Sequence, residues 1–187
     1  MKISKLFLVL LVSVFTFNSG YTQDKEAFKE IIWHIKAFKP QVKLLNIKAI
    51  DKKGDIYDVK AIQDSDQTNL LSVKAFVKGK RLPVKMLFSD DDIYYPVKAI
   101  GEDGTIYDIK AFTEDGKVLP VKGVSKSGNI IHIRAIYEDK IFYNVIAVSP
   151  QGETNTVKGI KLKEGDLECE VNGVEIFAHI KSLKHSI

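Results

Sequence analysis

The sequence predicts an all-β protein, folded as an antiparallel meander of about thirteen short strands. A five-residue phrase recurs along the chain: a small or polar residue, Val or Ile, Lys, Ala, and a large apolar residue. Between positions 96 and 156 it returns every 12 residues, and a fixed period indicates a repeat architecture. Gly-containing turns separate the phrases, and β-forming residues precede them. A meander of this length is expected to curl into a barrel or a two-layer sheet, and the alternative is a β-solenoid.

The first residue of each phrase is named the anchor here. The anchors are spaced 11 to 14 residues apart, which leaves about seven residues for each strand and about five for each turn. The N-terminal stretch 24–33 differs, because its apolar residues predict one or two helical turns. The thirteen anchors are His34, Asn46, Asp58, Ser72, Pro83, Pro96, Asp108, Pro120, His132, Asn144, Thr156, Glu168 and His179.

Alternation along each strand assigns its two faces. In the unit 106–112, Tyr107, Ile109 and Ala111 point to one face, which is wholly apolar and is expected to form the core. Lys110 points to the opposite face. The shared interior of all units is therefore predicted to consist of the residue before the anchor, the Val or Ile, and the Ala.

The register of one hairpin can also be predicted. A turn at 114–116 places Ala111 opposite Leu119, so that a small and a large residue meet across the ladder. Continued along both strands, the same register places Asp108 opposite Lys122 as an ion pair on the outer face.

Three anchors are prolines, which are unusual in the middle of a strand. Pro83, Pro96 and Pro120 cannot donate to a ladder, so each indicates either a bulge or a corner. If the sheet closes, the first strand, around Ile35, is expected to meet the last, around Ile180.

The N-terminal segment has the layout of a secretory signal peptide. Lys2 and Lys5 precede an apolar run at 6–17, and small residues precede a cleavage position near Gln23. The run is too short for a comfortable membrane span. Residues 1–23 are therefore expected to direct export, and residues 24–187 to form a single β-repeat domain that is secreted or periplasmic.

Composition narrows the classes of function. The net charge of +4 falls to +2 once Lys2 and Lys5 are removed, so nothing indicates binding to nucleic acid. Cys169 is the only cysteine, which excludes an intrachain disulfide. Because it occupies the Val or Ile place of its unit, Cys169 is expected to be an unreactive core thiol.

Cationic side chains occupy the same place in eleven units, ten as Lys and one as Arg. They constitute a candidate ladder for binding an anion. The alternative is a solvated face, in which lysine stems cover apolar strand ends and the charges pair with Asp. The candidate ladder comprises Lys48, Lys60, Lys74, Lys98, Lys110, Lys122 and Arg134.

Other chemistry is weakly indicated. His34, His132 and His179 are anchors whose spacing resembles no metal motif, and closure of the sheet is expected to bring His34 near His179. Asp90 and Asp92 belong to an acidic turn. The sequence has no phosphate-binding loop, nucleophile elbow or zinc-binding helix motif. It therefore predicts no catalytic residue, metal or cofactor.

The phrases at 104–112 and 120–124 resemble those of a family of secreted proteins of Bacteroidota. That family carries repeated Val-Lys-Ala-Ile phrases and is described as a domain of unknown function. The resemblance covers 28–183 and implies no activity, substrate or catalytic residue. Ile146 and Glu170 stand where the repeat expects Lys.

These observations favour a secreted or periplasmic, non-enzymatic β-repeat protein that serves as a binding or structural module at the cell envelope. The expected partner is an envelope glycan or protein, and the mature chain is not expected to span the membrane. One alternative is a small outer-membrane β-barrel, which strands of about seven residues disfavour. The other is an envelope glycan hydrolase, which requires convergent acids or histidines.

Overall fold

The computed structural model describes residues 28–39, 43–89, 93–165 and 167–184. The predicted signal peptide, Asp90 and Asp92 lie outside these ranges. The described part of the chain contains no helix, and therefore no helical segment that could cross a membrane. Residues 31–33, which belong to the stretch predicted to be helical, begin the first strand. The strands are β1 (Ile31–Lys39), β2 (Lys43–Ile50), β3 (Ile56–Gln63), β4 (Leu70–Val77), β5 (Lys80–Leu87), β6 (Tyr95–Ile100), β7 (Ile106–Phe112), β8 (Val118–Ser127), β9 (Ile130–Tyr137), β10 (Ile141–Val148), β11 (Thr154–Ile160), β12 (Cys169–Val171) and β13 (Val174–Leu183).

All thirteen strands belong to one sheet, and every pairing between them is antiparallel. This confirms the all-β antiparallel prediction. It excludes the solenoid alternative, in which neighbouring coils run in the same direction. Successive strands pair from β1 through β11, as a meander requires, but each of these eleven strands also pairs with at least one strand that is not its neighbour in the chain.

The two halves of a strand pair with different neighbours along one side. β7 and β8 pair only over their ends, where Ala111 lies opposite Leu119 as predicted. Beyond that point β7 turns to β6, so that Asp108 lies opposite Lys98, while Lys122 of β8 lies opposite Pro96. The predicted pairing of Asp108 with Lys122 is wrong, because the ladder does not continue along both strands.

Three strands that exchange partners in this way form a closed group, called a triad here. Twelve strands form four triads: β1–β2–β3, β4–β5–β13, β6–β7–β8 and β9–β10–β11. One further strand pair, called a junction here, links each triad to each of the other three. Four triads joined by six junctions have the connectivity of a tetrahedron. This pseudosymmetry places twelve copies of the repeat in equivalent positions, so that one sequence pattern suits all of them.

Twelve Val or Ile side chains meet at the centre, one from each strand of the triads. They surround a void of about 10 Å³, barely the space that a single water molecule needs. The predicted core face is thereby confirmed. The central residues are Ile35, Ile47, Val59, Val73, Val84, Val97, Ile109, Val121, Ile133, Val145, Val157 and Ile180.

The expected meeting of the first and last strands is wrong. β1 pairs with β2, β3 and β10, whereas β13 pairs with β4, β5, β11 and β12. Ile35 and Ile180 both line the central void but belong to different triads. Closure is achieved by six junctions rather than by one seam between the chain ends.

The anchor prolines limit the junctions. Four junctions without proline pair over five positions. The β5–β6 junction, which contains Pro83 and Pro96, pairs over three positions, and the β8–β9 junction, with Pro120, pairs over three before its register shifts. A missing N–H ends the ladder at each proline. The bulges lie elsewhere, between Gly123 and Ser125 in β8 and in β13.

The unit at Glu168 does not join a triad. Its short strand β12 forms a hairpin with the extended start of β13, turning at Asn172, which has a positive φ. Cys169 is half-buried rather than part of the core, contrary to prediction, because β12 lies outside the ring of twelve strands. The buried member of the unit is Glu168.

Candidate anion-binding site

The outward face of each triad carries a ring in which the anchors alternate with the residues at the cation place, all of them cations except Ile146. The register places the Lys of one strand opposite the anchor of the next, in a closed cycle of three. In the first triad Lys36 Nζ donates to Asn46 Oδ1 (2.5 Å), and Lys48 binds Asp58. Lys60 Nζ donates to His34 Nδ1 (3.0 Å) and completes the ring.

The predicted cationic ladder is not one stripe. Its members are divided among four rings, because the chain passes to another triad after every two or three strands. Lys48 and Lys60 lie in the β1–β2–β3 triad, Lys74 in the β4–β5–β13 triad, Lys98, Lys110 and Lys122 in the β6–β7–β8 triad, and Arg134 in the β9–β10–β11 triad.

Like charges also face each other at the junctions. Lys60 lies opposite Lys74, and Lys85 lies opposite Lys98. Directly opposed like charges destabilise a sheet. Where an anchor can accept a hydrogen bond, the ammonium group finds a partner within its own triad, as Lys60 does with His34.

Two triads contain a carboxylate that offsets their cations. Asp58 Oδ2 lies 3.4 Å from Lys60 Nζ, and Asp108 Oδ2 lies 3.7 Å from Lys110 Nζ. The hydrogen bond from Lys48 is the main cause that lowers the pKa of Asp58, with nearby Lys60 contributing. The pKa of Asp108 is also lowered, since Lys98 and Lys110 outweigh the opposing effect of burial.

The β4–β5–β13 triad holds three lysines without such a carboxylate. Its cations are Lys74, Lys85 and Lys181, and its anchors are Ser72, Pro83 and His179. Among the described residues, no carboxylate forms an ion pair with any of the three lysines. We call these three lysines the lysine cluster.

Neutral groups partner two members of the lysine cluster. Lys181 Nζ donates to Ser72 Oγ (3.0 Å), and Lys85 Nζ donates to His179 Nδ1. Lys74 faces Pro83, whose side chain offers no acceptor. Burial is the largest cause that lowers the pKa of Lys85 and of Lys181, and the neighbouring lysines lower both further. Cys169 and Glu168 offset part of this lowering of the pKa at Lys85, and the exposed Asp64 does so at Lys181.

A buried carboxylate orients the histidine of this site. Glu168 accepts the backbone N–H groups of Leu162 and Lys163 (3.0–3.1 Å), and its Oε1 lies 3.4 Å from His179 Nε2. A proton on Nε2 satisfies this contact and leaves Nδ1 to accept from Lys85. Burial and Lys85 lower the pKa of His179, so the neutral ring is favoured despite Glu168.

An apolar cleft adjoins the lysine cluster. It has a volume of about 380 Å³ and is lined by Leu70, Ile160, Leu162, His179 and Lys181. Leu162 is 73% exposed and Leu70 is 55% exposed, so the walls are apolar surface in contact with water. The cleft is thus lined by two charged or polar side chains and three aliphatic ones.

Two other clefts lie among the hairpin turns. One, of about 460 Å³, contains Lys80 and Glu102, whose charged atoms are 2.6 Å apart. The other, of about 230 Å³, contains Lys43 and Glu114 at 2.7 Å. Each of these clefts is lined by two lysines and two carboxylates, so its positive charge is balanced. The lysine cluster is therefore the better site for an external anion.

The candidate histidines are not brought together. His34, His132 and His179 lie in three different triads, and each accepts a hydrogen bond from a Lys of its own ring. Within the described ranges, no group of three or more His, Cys, Asp or Glu residues is arranged to hold a metal ion. Asp90 and Asp92 lie outside the described residues.

Sequence reasoning identified Lys74 but left Lys85, Lys181 and Ser72 out of the candidate site. Their repeat positions were visible, since both lysines follow a Val or Ile that follows an anchor. The grouping of β13 with β4 and β5 was not visible, because Lys181 and Ser72 are 109 residues apart in sequence.

Comparison with known proteins gives a family without an activity. No curated protein and no solved structure matches the chain. A model for a family of unknown function, DUF7486, matches residues 29–183, which include every strand described above. The chain therefore belongs to this family of unknown function, DUF7486.

Proposed function

We propose that the protein is an exported, non-enzymatic binding module, and that it binds small anions at the lysine cluster. The supporting observation is the charge of the β4–β5–β13 triad. Lys74, Lys85 and Lys181 share one outward ring whose anchors provide no carboxylate. The half-buried ammonium groups repel one another, so each raises the free-energy cost of keeping the next one charged. An anion placed between them relieves that repulsion.

The ring also supplies the geometry for an oxyanion. Ammonium groups donate in several directions and suit the oxygens of phosphate or sulfate. Ser72 Oγ accepts from Lys181, and its own O–H remains able to donate to the anion. Lys74 reaches the site without giving up a hydrogen bond to any described side chain.

Calorimetric titration with inorganic phosphate, at constant ionic strength in chloride, tests the site. The wild type is expected to bind one phosphate, and Lys74→Gln and Lys181→Gln are each expected to weaken binding at least tenfold. Lys52→Gln, in an exposed turn, removes the same charge and serves as the control. Equal binding by all four proteins, or none by the wild type, contradicts the proposed site.

Export is a separate part of the proposal and rests on residues 1–23. Expression of the full chain, followed by mass determination of the mature protein, is expected to give a new N-terminus close to Gln23 and recovery outside the cytoplasm. An intact N-terminus on cytoplasmic protein contradicts export and leaves the anion site unaffected.

A further inference from the structure

The cleft beside the lysine cluster indicates what kind of anion is bound. We infer that the ligand is an organic phosphate whose ester group is an aliphatic chain. This rests on the proposed anion site. The phosphate lies at the lysine cluster, and the chain lies along Leu70, Ile160 and Leu162.

Continuity between the two surfaces supports this assignment. Lys181 belongs to the lysine cluster and also lines the cleft. His179 lines the cleft too, and it accepts a hydrogen bond from Lys85 of the cluster. His179 lies directly opposite Ile160 in the β11–β13 junction. A ligand held by Lys181 therefore has an aliphatic wall next to its charged group. An inorganic anion leaves that wall in water.

Exposure of the wall is unusual for this molecule. Leu162 has the second-highest exposure among the large hydrophobic residues described. Its backbone N–H is held by the Glu168 carboxylate, and the same carboxylate contacts His179. Glu168 thus fixes the apolar wall and the imidazole relative to each other, and acts as a positioning residue for both halves of the site.

The lining of this cleft contains no carboxylate, unlike the linings of the two clefts among the hairpin turns. The cleft volume of about 380 Å³ falls within the range of small-molecule pockets and suits a short chain rather than a macromolecular segment. Apolar walls with a few placed polar groups are characteristic of such pockets. The cationic end excludes a neutral alcohol from the preferred ligands, and the aliphatic wall distinguishes an alkyl phosphate from free phosphate.

Titration with inorganic phosphate, butyl phosphate, octyl phosphate and octanol tests the inference. Burying a methylene strengthens binding by about fourfold when burial is complete, so about twofold per methylene is expected in this open cleft. Octyl phosphate should therefore bind about tenfold or more tightly than butyl phosphate, and octanol weakly.

Matched variants separate the two halves of the site. Leu162→Ser is expected to abolish the gain from chain length and to leave inorganic phosphate binding unchanged, whereas Lys181→Gln weakens all phosphates. Leu44→Ser, an exposed leucine of β2, is the control for non-specific contact with the chain. Fluorescence of the single tryptophan reports whether each variant is folded.

The possible outcomes distinguish failure of the aliphatic subsite from failure of the anion site. If octyl phosphate binds no more tightly than inorganic phosphate, or if Leu44→Ser removes the gain as fully as Leu162→Ser, the aliphatic subsite is refuted while the anion site stands. If inorganic phosphate does not bind at all, the anion site itself is refuted.

Discussion

Met86 occupies the space that a side chain at position 123 would need. A Cβ atom added to Gly123 would lie 2.5 Å from Met86 Cε, and one added to Gly159 would lie 2.8 Å from the same atom. All three residues occupy places where most units have Ala. One large residue facing two glycines preserves the packed volume of this core layer, so three departures from the repeat form a single packing unit.

The effects of substitutions at Met86 and Gly123 on the free energy of unfolding should be strongly coupled. Met86→Ala leaves a cavity and is expected to lower the free energy of unfolding by about 2–5 kcal/mol. Gly123→Ala overfills the same space and should cost about 1–3 kcal/mol. Adding Gly123→Ala to Met86→Ala should recover part of the loss. Urea unfolding of the four proteins measures the coupling, and additive losses would contradict the packing unit.

Replacing Ser182 with Ala, the residue that most units have at this place, should stabilise the protein. Ser182 is fully buried at an Ala place, and its Oγ has no hydrogen-bond partner within the described residues. Ser182→Ala removes an unsatisfied hydroxyl and is expected to raise the free energy of unfolding by about 1 kcal/mol. Thermal unfolding compares it with Ser72→Ala, where the hydroxyl is bonded to Lys181. A lower melting temperature for Ser182→Ala contradicts the prediction.

The indole of Trp33, the only tryptophan, is hydrogen-bonded to the buried side-chain amide of Gln63. Trp33 Nε1 donates to Gln63 Oε1 at 2.8 Å, and both residues are buried. Gln63→Leu leaves the indole N–H without a partner and should cost about 1–3 kcal/mol. Trp33 emission monitors urea unfolding directly. Gln67→Leu changes an exposed glutamine nearby, and an equal loss there would show that the bond contributes nothing.

Stability should fall as the pH is lowered from about 7 to about 5. The pKa values of His34, His132 and His179 are lowered from 6.5, first by burial and then by adjacent cations. The unfolded chain therefore binds protons that the folded state does not, so stability is complete above pH 6.5 and declines below it. Replacing all three histidines with Asn should make stability nearly independent of pH between about 7 and 5. An unchanged pH profile in this variant would contradict the assignment of the stability loss to the histidines.

Removal of one carboxylate should create a second anion site. Asp58 is the only described carboxylate paired with the lysines of its ring, Lys48 and Lys60. Asp58→Asn should raise the phosphate stoichiometry from one to two, with a stability loss of about 1 kcal/mol or less because Asp58 is half-exposed. Asp55→Asn removes the same charge from an exposed turn and should leave one site. Unchanged stoichiometry in Asp58→Asn would contradict the role of uncompensated charge.

The local structure was predictable because it depends on neighbours in sequence. Alternation placed Ile109 and Ala111 in the core, and turn residues gave the pairing of Ala111 with Leu119. The predicted register fails at Asp108, since a strand of seven residues can be shared between two partners. Nothing in a single hairpin indicates where that sharing occurs.

The candidate site depends on contacts between distant units. The sequence by itself determined that a cation recurs on the outer face of eleven of the thirteen units and that Ser72 and His179 are anchors. Only the tertiary structure decided that Lys74, Lys85 and Lys181 share one ring. The physical reason is that twelve similar units bury their Val and Ile together only by closing in three dimensions, and the grouping into triads follows from that closure.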